Sequence, residues 1–289
     1  MILTYILNAE CKKPCSLKDI CYFPFIQKEK LRSLEKEEIK KILTKFSSYA
    51  DKKRKEKKID LVIGRNQSIE RLYEIARTAK YYGYKVRVSI NEEIRLDKLP
   101  ADEIVFNWSS DEEIQRNGEI IKRIKESKKG VKTEIYCCIT KKNLANIKDY
   151  VEKALAIGVN NLTGILVVPQ TKEAFREFMP SYDSFREMLR ELDSFLKEKK
   201  ARMRIDAAPN LKKEGFSSLD FTQCKEDDLD VYPNGDVFAI CDVCPQACSV
   251  GNILYDNLET IVKEIEDFPV EKDKEFGCYA RGFILNELT

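Results

Sequence analysis

The sequence predicts an α/β fold, a partial (βα)6 barrel followed by a small cysteine-rich C-terminal α+β domain. Over the first two thirds of the chain, short β-branched runs alternate with amphipathic stretches of helix length, as in a parallel sheet with crossover helices. About six such units precede residue 200, whereas a complete eight-unit barrel needs about 250 residues. Beyond residue 206 the chain is loop-rich and holds five of the ten cysteines. We therefore expect domains at 1–206 and 207–289.

Strands and helices are assigned from the period of the apolar residues. The strands are expected at Ile2 to Asn8, Ile59 to Ile63, Lys85 to Ile90, Glu103 to Asn107, Lys132 to Cys138 and Leu162 to Val168. The helices are expected at Lys36 to Ala50, Ser68 to Tyr82, Asp111 to Lys128, Asn143 to Ile157 and Ser184 to Lys199. Glycines 83, 130 and 158 fall where three of these helices should end.

The C-terminal region contains one clear hairpin signal. Asn234-Gly235 separates two apolar runs, a pattern that favours a tight type I′ turn.

Charge and composition restrict the classes of function. Lysine and arginine total 51 residues against 49 aspartates and glutamates, so the basic excess typical of nucleic-acid-binding proteins is missing. No apolar run is long enough for a membrane span, and the short apolar start is that of a first strand rather than of a signal peptide. We expect a cytoplasmic protein with no nucleic-acid or membrane partner.

Cysteine is abundant and histidine is absent. Reducing compartments do not maintain disulfides, so ten cysteines in a cytoplasmic protein need another explanation. The absence of histidine excludes His-containing zinc sites, His-ligated haem and Ser–His or Cys–His catalytic pairs. Metal sites made of thiolates alone remain.

Cys11, Cys15 and Cys21 lie within eleven residues, directly after the first predicted strand. They can converge on one metal centre at the carboxyl end of that strand, where parallel βα folds place their active sites. Three thiolates with no nearby fourth suit a four-iron cluster whose remaining iron is open to a substrate. A structural zinc takes four ligands, and unrelated buried thiols are the other alternative.

A strand followed by Cys-x3-Cys, a third cysteine and two aromatic residues, Tyr22 and Phe23, resembles the radical S-adenosylmethionine superfamily. That family usually writes the motif as Cys-x3-Cys-x2-Cys, whereas the second gap here is five residues. The resemblance implies a [4Fe-4S] cluster on Cys11, Cys15 and Cys21 that binds S-adenosylmethionine.

Later segments resemble the family's cofactor-binding strand ends. Gly64-Arg65-Asn66 stands where the family has Gly-Gly-Glu, so only the glycine matches. Ser89 and Asn91 are similar to the small polar residues at the end of the third strand, and Thr140 with Asn143 to the fifth-strand segment that contacts the ribose. The resemblance implies the following cofactor-binding set: Tyr22, Phe23, Gly64, Arg65, Asn66, Ser89, Asn91, Thr140 and Asn143.

The C-terminal cysteines are Cys224, Cys241, Cys244, Cys248 and Cys278. The hairpin, the cysteine soon after it and a Gly-Asn-Ile leading into a helix resemble the SPASM or twitch extension of peptide-modifying radical enzymes. This implies one auxiliary [4Fe-4S] cluster, or two, and iron–sulfur ligation can hold together a loop-rich domain without a large core. Four thiolates can equally hold zinc, and five candidates exceed the four ligands of a single cluster.

Other polar and cysteine residues are weaker candidates. Several polar side chains fall near strand ends, where a ligand is expected: Asn8, Glu10, Asn107, Ser109, Thr140 and Gln170. The adjacent Cys137 and Cys138 point to opposite faces of a strand, so we interpret them as buried thiols, one of which can face the barrel interior. Trp108 is interpreted as a core or barrel-rim anchor.

The resemblance implies reductive cleavage of S-adenosylmethionine to a 5′-deoxyadenosyl radical, which abstracts hydrogen from a substrate. A peptide substrate and a ferredoxin- or flavodoxin-type electron donor are the expected partners, although a first strand at residue 2 leads us to expect no N-terminal peptide-recognition domain. The type of transformation stays open. The alternatives are a non-catalytic electron-transfer protein on a decayed barrel and a zinc-stabilised binding module.

Overall fold

The computed structural model describes residues 2–8, 34–63, 69–90, 99–127, 130–169, 171–222, 228–239, 249–269 and 271–288. The strands in these ranges are β1 (Ile2–Asn8), β2 (Lys58–Ile63), β3 (Lys85–Ile90), β4 (Glu103–Trp108), β5 (Lys132–Ile139), β6 (Asn161–Leu166), β7 (Met203–Asp206), β8 (Leu219–Phe221), β9 (Asp228–Val231), β10 (Asp236–Phe238) and β11 (Ser249–Asn252). The α-helices are α1 (Lys36–Lys52), α2 (Ile69–Tyr81), α3 (Asp111–Ser127), α4 (Ile147–Ala156), α5 (Lys172–Phe178), α6 (Tyr182–Glu198), α7 (Leu258–Glu266) and α8 (Tyr279–Leu288).

One large sheet organises the described part of the chain. Its strand order is β11-β10-β9-β1-β2-β3-β4-β5-β6-β7-β8. Each neighbouring pair from β1 to β8 is parallel, with helices in most of the crossovers. The six predicted βα units and their parallel order are confirmed, and β7 and β8 extend the parallel part beyond them.

The sheet curls, as the covalent chain requires. Strand β9 lies eight strand spacings from β8 in the sheet order, which is about 38 Å if the sheet were flat. Only seven peptide units connect Phe221 to Asp228, and an extended chain of that length reaches about 25 Å. The two ends of the parallel array must therefore approach each other, as in a partial barrel.

The apolar face of each strand packs against the helices. Every second residue of the central strands is buried, as in Val86, Val88 and Ile90 of β3, because side chains alternate between the two faces of a strand. Trp108, at the end of β4, is fully buried, which confirms its interpretation as a core residue.

The C-terminal segment packs against both α1 and α6. Lys45 of α1 donates to the Ile253 carbonyl at 2.8 Å, and Lys52 of α1 pairs with Glu259 of α7 at 2.5 Å. Farther along, Phe276 contacts the rings of Tyr182 and Phe185 in α6. The end of the chain therefore spans the opening between the two sides of the curled sheet.

The hairpin is confirmed, but its predicted type I′ turn is wrong. That turn needs positive φ at both central residues, whereas Gly235 has φ +92° and Asn234 is not in the left-handed region. Pro233 takes the first central position, where its ring holds φ near −65°. The Tyr232 carbonyl accepts from Gly235 and the Tyr232 amide donates to Asp236, which is a type I turn followed by a left-handed glycine.

None of the helices in the described ranges is long and apolar enough to cross a lipid bilayer.

Candidate active site

The carboxyl ends of the parallel strands are where we expect the site, and much of the predicted set follows strands β1, β2, β3 and β8 there. These residues lie outside the described ranges: Glu10, Cys11, Cys15, Cys21, Tyr22, Phe23, Gly64, Arg65, Asn66, Asn91, Gln170, Cys224, Cys241, Cys244 and Cys248. Their roles stay predictions. The described residues of the set are Asn8 (backbone only), Ser89, Asn107, Ser109, Thr140, Asn143 and Cys278.

A cavity of about 330 Å³ opens at the carboxyl ends of β4 and β5. Its lining is mostly polar, with two aromatic residues: Ser109, Ser110, Asp111, Glu112, Thr140, Lys142, Asn143, Asn146, Tyr150 and Phe178. The volume falls at the lower end of the range of about 300–1,000 Å³ for small-molecule sites. Because it lies at the carboxyl edge of a parallel sheet, this cavity is the best-placed ligand site in the described part of the chain.

Thr140 and Asn143 line this cavity, but their polar atoms are engaged with each other. The Asn143 Oδ1 atom accepts from the Thr140 amide at 2.8 Å and from its hydroxyl at 3.1 Å. The Asn143 Nδ2 atom donates to the Cys138 carbonyl at 2.8 Å. Both side chains are buried. They shape the wall of the cavity, and their predicted contact with a cofactor stays a prediction.

Ser109 lines the same cavity at the end of β4 and is held by a buried carboxylate. Glu113, in the first turn of α3, is only 5% exposed. One of its oxygens accepts from the Ser109 amide at 2.9 Å and from the Ser109 hydroxyl at 2.6 Å. The start of α3 is therefore tied to the end of the preceding strand.

Ser89 lies on a different surface, the polar inner face of the sheet. Its hydroxyl is 3.3 Å from Asp60 of β2, and Arg87, two residues earlier on β3, pairs with Asp60 at 2.6 Å. Burial disfavours the Arg87 cation, but the neighbouring carboxylates, Asp60 first, outweigh this cost and raise the pKa of Arg87 above its ordinary value. Ser89 is thus part of a charged network inside the barrel.

Hydrogen bonds and ion pairs of this network join strands that are not adjacent in the sheet. Arg87 of β3 and Arg204 of β7 both donate to the Tyr136 hydroxyl of β5, Arg204 at 3.0 Å. Arg87 also bonds Glu134 at 2.7 Å, and Glu134 accepts from Thr163 at 2.6 Å. Burial raises the pKa of Tyr136 to about 12, against the lowering effect of Arg87. This cross-linking across the inner face holds the shape of the curled sheet.

These inner residues were not among the predicted site residues, although their spacing along the strands is a usable signal. Parallel strands covered by helices on both faces read as nearly continuous apolar runs. Here β3 reads Lys-Val-Arg-Val-Ser-Ile and β5 places Glu134 and Tyr136 at alternate positions. Polar residues at every second position of a parallel strand indicate a polar barrel interior.

Cys137 and Cys138 face opposite sides of β5, as predicted. Cys137 is fully buried, and burial raises the pKa of its thiol to about 12. Cys138 is half-buried and shares a face with Tyr136 and Glu134, since alternate residues of a strand point the same way. Cys138 is therefore the member of the pair on the barrel-interior side.

Cys278 is the one predicted cluster ligand within the described ranges. It is buried and directly precedes α8, close to Arg281. The Arg281 guanidinium pairs with Asp273 at 2.9 Å, lies 4.1 Å from the Phe276 ring and contacts Met179 Sδ at 2.9 Å. Burial lowers the pKa of Arg281, and Asp273 opposes this effect. The ligand role of Cys278 stays a prediction.

Among the residues that the structure describes, no three cysteine, aspartate or glutamate side chains are grouped to hold a metal ion. The described chain offers two features to a ligand: the cavity beside β4 and β5, and the charged inner face. The cavity lining combines two buried aromatic residues, Tyr150 and Phe178, with polar side chains, and a mixed lining of this kind is usual in small-molecule sites.

Comparison with known proteins gives a match in structure alone. No protein-family model matches the chain, and no curated protein sequence does. Streptococcus suis SuiB bound to its precursor peptide SuiA superposes with a TM-score of 0.68 at 12% identity, over 97% of this chain and 70% of SuiB. Hexahistidine-tagged anSMEcpe with bound AdoMet gives 0.66 at 10% identity, over 100% of this chain and 96% of the other.

A second anSMEcpe structure, with bound AdoMet and the Cp18Cys peptide, gives a TM-score of 0.65 at 11% identity, over 99% of this chain and 95% of the other. At 10–12% sequence identity, this structural similarity is evidence of a shared fold alone. It confirms the predicted partial barrel. The chain has the fold of SuiB and anSMEcpe.

Proposed function

We propose that this protein is a radical S-adenosylmethionine enzyme that acts on a peptide. One observation carries the proposal: a cysteine triplet, Cys11, Cys15 and Cys21, directly follows β1 in a chain with the fold of SuiB and anSMEcpe, both solved with bound S-adenosylmethionine. The three cysteines would hold a [4Fe-4S] cluster, which with bound S-adenosylmethionine and one electron would supply 5′-deoxyadenosyl radical chemistry for hydrogen abstraction from a substrate.

The described residues contribute the surroundings of that chemistry. The cavity beside β4 and β5, whose lining includes Ser109, Tyr150 and Phe178, would take the nucleoside part of the cofactor. The inner face of the sheet adds a hydrogen-bonded charged surface, in which Arg87 and Arg204 share Tyr136. A rigid surround limits the positions open to a bound substrate, and such positioning is the protein's main contribution when a cofactor performs the chemistry.

A peptide substrate is favoured because SuiB was solved with the precursor peptide SuiA and anSMEcpe with the Cp18Cys peptide. We further propose that residues 207–289 hold one auxiliary cluster or two on Cys224, Cys241, Cys244, Cys248 and Cys278. Phe276, two residues before the buried Cys278, packs on Tyr182 and Phe185 of α6 and would attach that region to the barrel.

The proposal is tested by anaerobic purification and reconstitution with iron and sulfide. Iron and zinc are counted, dithionite and S-adenosylmethionine are added, and 5′-deoxyadenosine is measured. We expect a brown protein with at least four irons that forms 5′-deoxyadenosine, and a Cys21→Ala variant that forms none. Cys137→Ala is the matched control, since this thiol lies in the apolar core and its removal should leave the cleavage intact.

Two outcomes would overturn the proposal in different ways. A colourless protein with stoichiometric zinc would indicate a zinc-stabilised binding module. A brown protein that leaves S-adenosylmethionine intact would indicate an electron-transfer protein.

A further inference from the structure

One exposed ion pair of the inner face lies at the carboxyl end of the barrel. Arg204 and Asp206 are on β7, and both face the interior because Ile205 between them is fully buried in the apolar core. Their side chains are 35% and 24% exposed, against 16% for Arg87 and 5% for Glu134 of the same network. Asp206 is the last residue of its strand, so this pair borders the mouth of the barrel.

Arg204 has hydrogen-bond donors that no described residue uses. Its Nη2 atom donates to the Tyr136 hydroxyl at 3.0 Å and to Asp206 Oδ2 at 3.3 Å, and it lies 3.7 Å from Glu134. Its Nε atom is 3.2 Å from Asp206 Oδ1 but without hydrogen-bond geometry. A guanidinium carries five N–H donors, and within the described ranges those of Nη1 have no acceptor. Nη1 can therefore donate to a ligand.

Asp206 has unused acceptor sites in the same place. A carboxylate offers about four lone-pair sites, and Oδ2 of Asp206 accepts one long bond, from Arg204 at 3.3 Å. Oδ1 is buried and accepts no hydrogen bond from the described residues, so the exposed side of this carboxylate is that of Oδ2. Arg204 and Asp206 therefore present a donor and an acceptor next to each other at the mouth.

The neighbouring pair of Arg202 and Asp220 shows the contrast. Arg202 donates from Nε and Nη2 to the two carboxylate oxygens of Asp220, at 3.0 and 2.6 Å, which is the bidentate geometry that satisfies both partners. Arg204 and Asp206 lie two residues apart on one strand and do not reach this geometry. Their pairing leaves hydrogen-bonding capacity for a third group.

The backbone directly after this pair is strained. Ala207 has φ +65°, in the left-handed region that a residue with a β-carbon adopts only at a cost. Such strain persists where the surrounding structure holds it, and it clusters at binding and catalytic sites. The turn at Ala207 ends β7 directly after Asp206, and its strain supports a ligand-binding role for this strand end.

The chemistry of the pair indicates the group that it can bind. The two charges cancel, so a charged ligand group would attract one member and repel the other, whereas a neutral group meets no such conflict. Each residue of an extended peptide presents its own N–H and C=O on the same side, as it does in the hydrogen-bonded pairs of an antiparallel sheet. That arrangement is one donor beside one acceptor, the complement of what Asp206 and Arg204 offer.

We propose that Arg204 and Asp206 bind the backbone of one extended residue of the peptide substrate, whose carbonyl accepts from Arg204 and whose amide donates to Asp206. The inference rests on the proposed function, because the peptide is the substrate of that function. It adds a subsite at the end of β7 that recognises main chain and is therefore independent of the side chain of the bound residue.

The test compares two small probes in binding to the reconstituted protein, by saturation-transfer NMR titration with thermal unfolding alongside. Acetylalanine methylamide, the amide probe, carries the N–H and C=O of one extended residue. In O-acetyllactic acid methylamide, the ester probe, an oxygen replaces that N–H and the carbonyl is kept. A hydrogen bond to a charged partner is worth about tenfold or more in affinity, so the wild-type protein should bind the amide probe about tenfold more tightly than the ester probe.

Two variants assign this preference to the pair. Asp206→Ala removes the acceptor and should bind both probes with equal affinity. Arg204→Met removes the donor to the carbonyl and should weaken both probes by similar factors, so that the preference for the amide probe is kept. The matched controls are Arg202→Met and Asp220→Asn, whose bidentate pair has no such capacity for a ligand, and they should keep both wild-type affinities. A merely structural role would lower the unfolding temperature and leave the preference unchanged.

The outcomes separate this inference from the proposed function. A preference that is lost in Asp206→Ala and kept in the controls supports it. Equal binding of the two probes by the wild type, no binding of either, or a preference that survives Asp206→Ala overturns it, and 5′-deoxyadenosine formed by the same preparation then leaves the proposed function standing. A protein that shows the preference but forms no 5′-deoxyadenosine keeps the peptide-binding subsite and loses the proposed reaction.

Discussion

Arg281 and Asp273 form a buried ion pair whose disruption has a calculable cost. We consider Arg281→Met, which keeps most of the side-chain volume and removes the charge. The two side chains are only 3% and 6% exposed, and the guanidinium lies over the Phe276 ring at 4.1 Å. Removing one partner of a buried pair leaves the other charge uncompensated, which costs about 3–5 kcal/mol.

The other contacts of Asp273 place the expected loss of unfolding free energy near the lower limit of this range. Asp273 also accepts from the amides of Phe276 and Glu275, at 3.1 and 3.2 Å, and both bonds survive the substitution. We therefore expect Arg281→Met to lower the free energy of unfolding by about 3 kcal/mol. Urea denaturation followed by circular dichroism measures this difference.

Two further variants make the test specific. Arg190 of α6 is half-exposed and pairs with Glu187 and Glu214, so Arg190→Met should cost less than about 1 kcal/mol. The double variant Asp273→Asn with Arg281→Met removes both charges. Its free energy of unfolding should therefore lie within about 1 kcal/mol of the wild-type value. A single Arg281→Met variant no less stable than Arg190→Met would refute the reasoning.

Three other predictions concern the core. Gly118 is buried in α3, and a β-carbon there meets nothing within 4 Å, so Gly118→Ala should raise the free energy of unfolding by about 1 kcal/mol through helix propensity; no gain in urea denaturation would contradict this. Gly164→Ala should lower the free energy of unfolding by about 1–3 kcal/mol, because the new β-carbon would lie 2.9 Å from Ile139 Cδ1 and Met203 Cε. An unchanged free energy of unfolding would show that these side chains move aside. Burial raises the pKa of the Cys137 thiol from 9.0 to about 12, so the stabilisation from its buried neutral form is complete below pH 9 and lost as pH rises toward 12. Mass spectrometry after iodoacetamide at pH 8 should find Cys137 unmodified in the native protein and alkylated in urea, and native labelling would contradict its burial.

The repeating part of the fold could be predicted from the sequence because its signals are local. The period of the apolar residues located the first six strands and their helices to within a few residues. Gly83 and Gly158 end α2 and α4 with φ of +79° and +72°, as their positions after the helical pattern predicted. Local signals of this kind do not depend on distant contacts.

The elements that the sequence did not predict depend on distant partners. Strand β8 has only three residues and is defined by its pairing with β7. The inner network joins Arg87 to Arg204 through Tyr136, and these residues are far apart in the chain. The type I′ turn was predicted from the Asn-Gly pair alone. Pro233 precedes this pair and takes the first central position of the turn, where its ring does not allow the positive φ that a type I′ turn needs.

The site was predictable in its place but not in its composition. Parallel order put it at the carboxyl edge of the sheet, and the cavity does lie there. Ser109 was among the polar residues expected near a strand end. The hydrogen bonds from Ser109 to Glu113 were not predicted. A glutamate in the first turn of a helix is common, and its burial depends on tertiary packing that the sequence pattern does not show.

The parallel pairing of β1 with β9 has a consequence for how the chain is made. Strand β1 leaves the ribosome before the other strands of this sheet and can pair with β2 early, but its other edge stays unpaired until residues 228–231 are made. At about 5–20 residues per second, the interval between completing β2 and completing β9 is roughly ten to thirty seconds. During that time a seven-residue apolar strand shows an open edge, the kind of surface that recruits chaperones or other nascent chains. A fragment that stops at residue 206 keeps that edge open permanently.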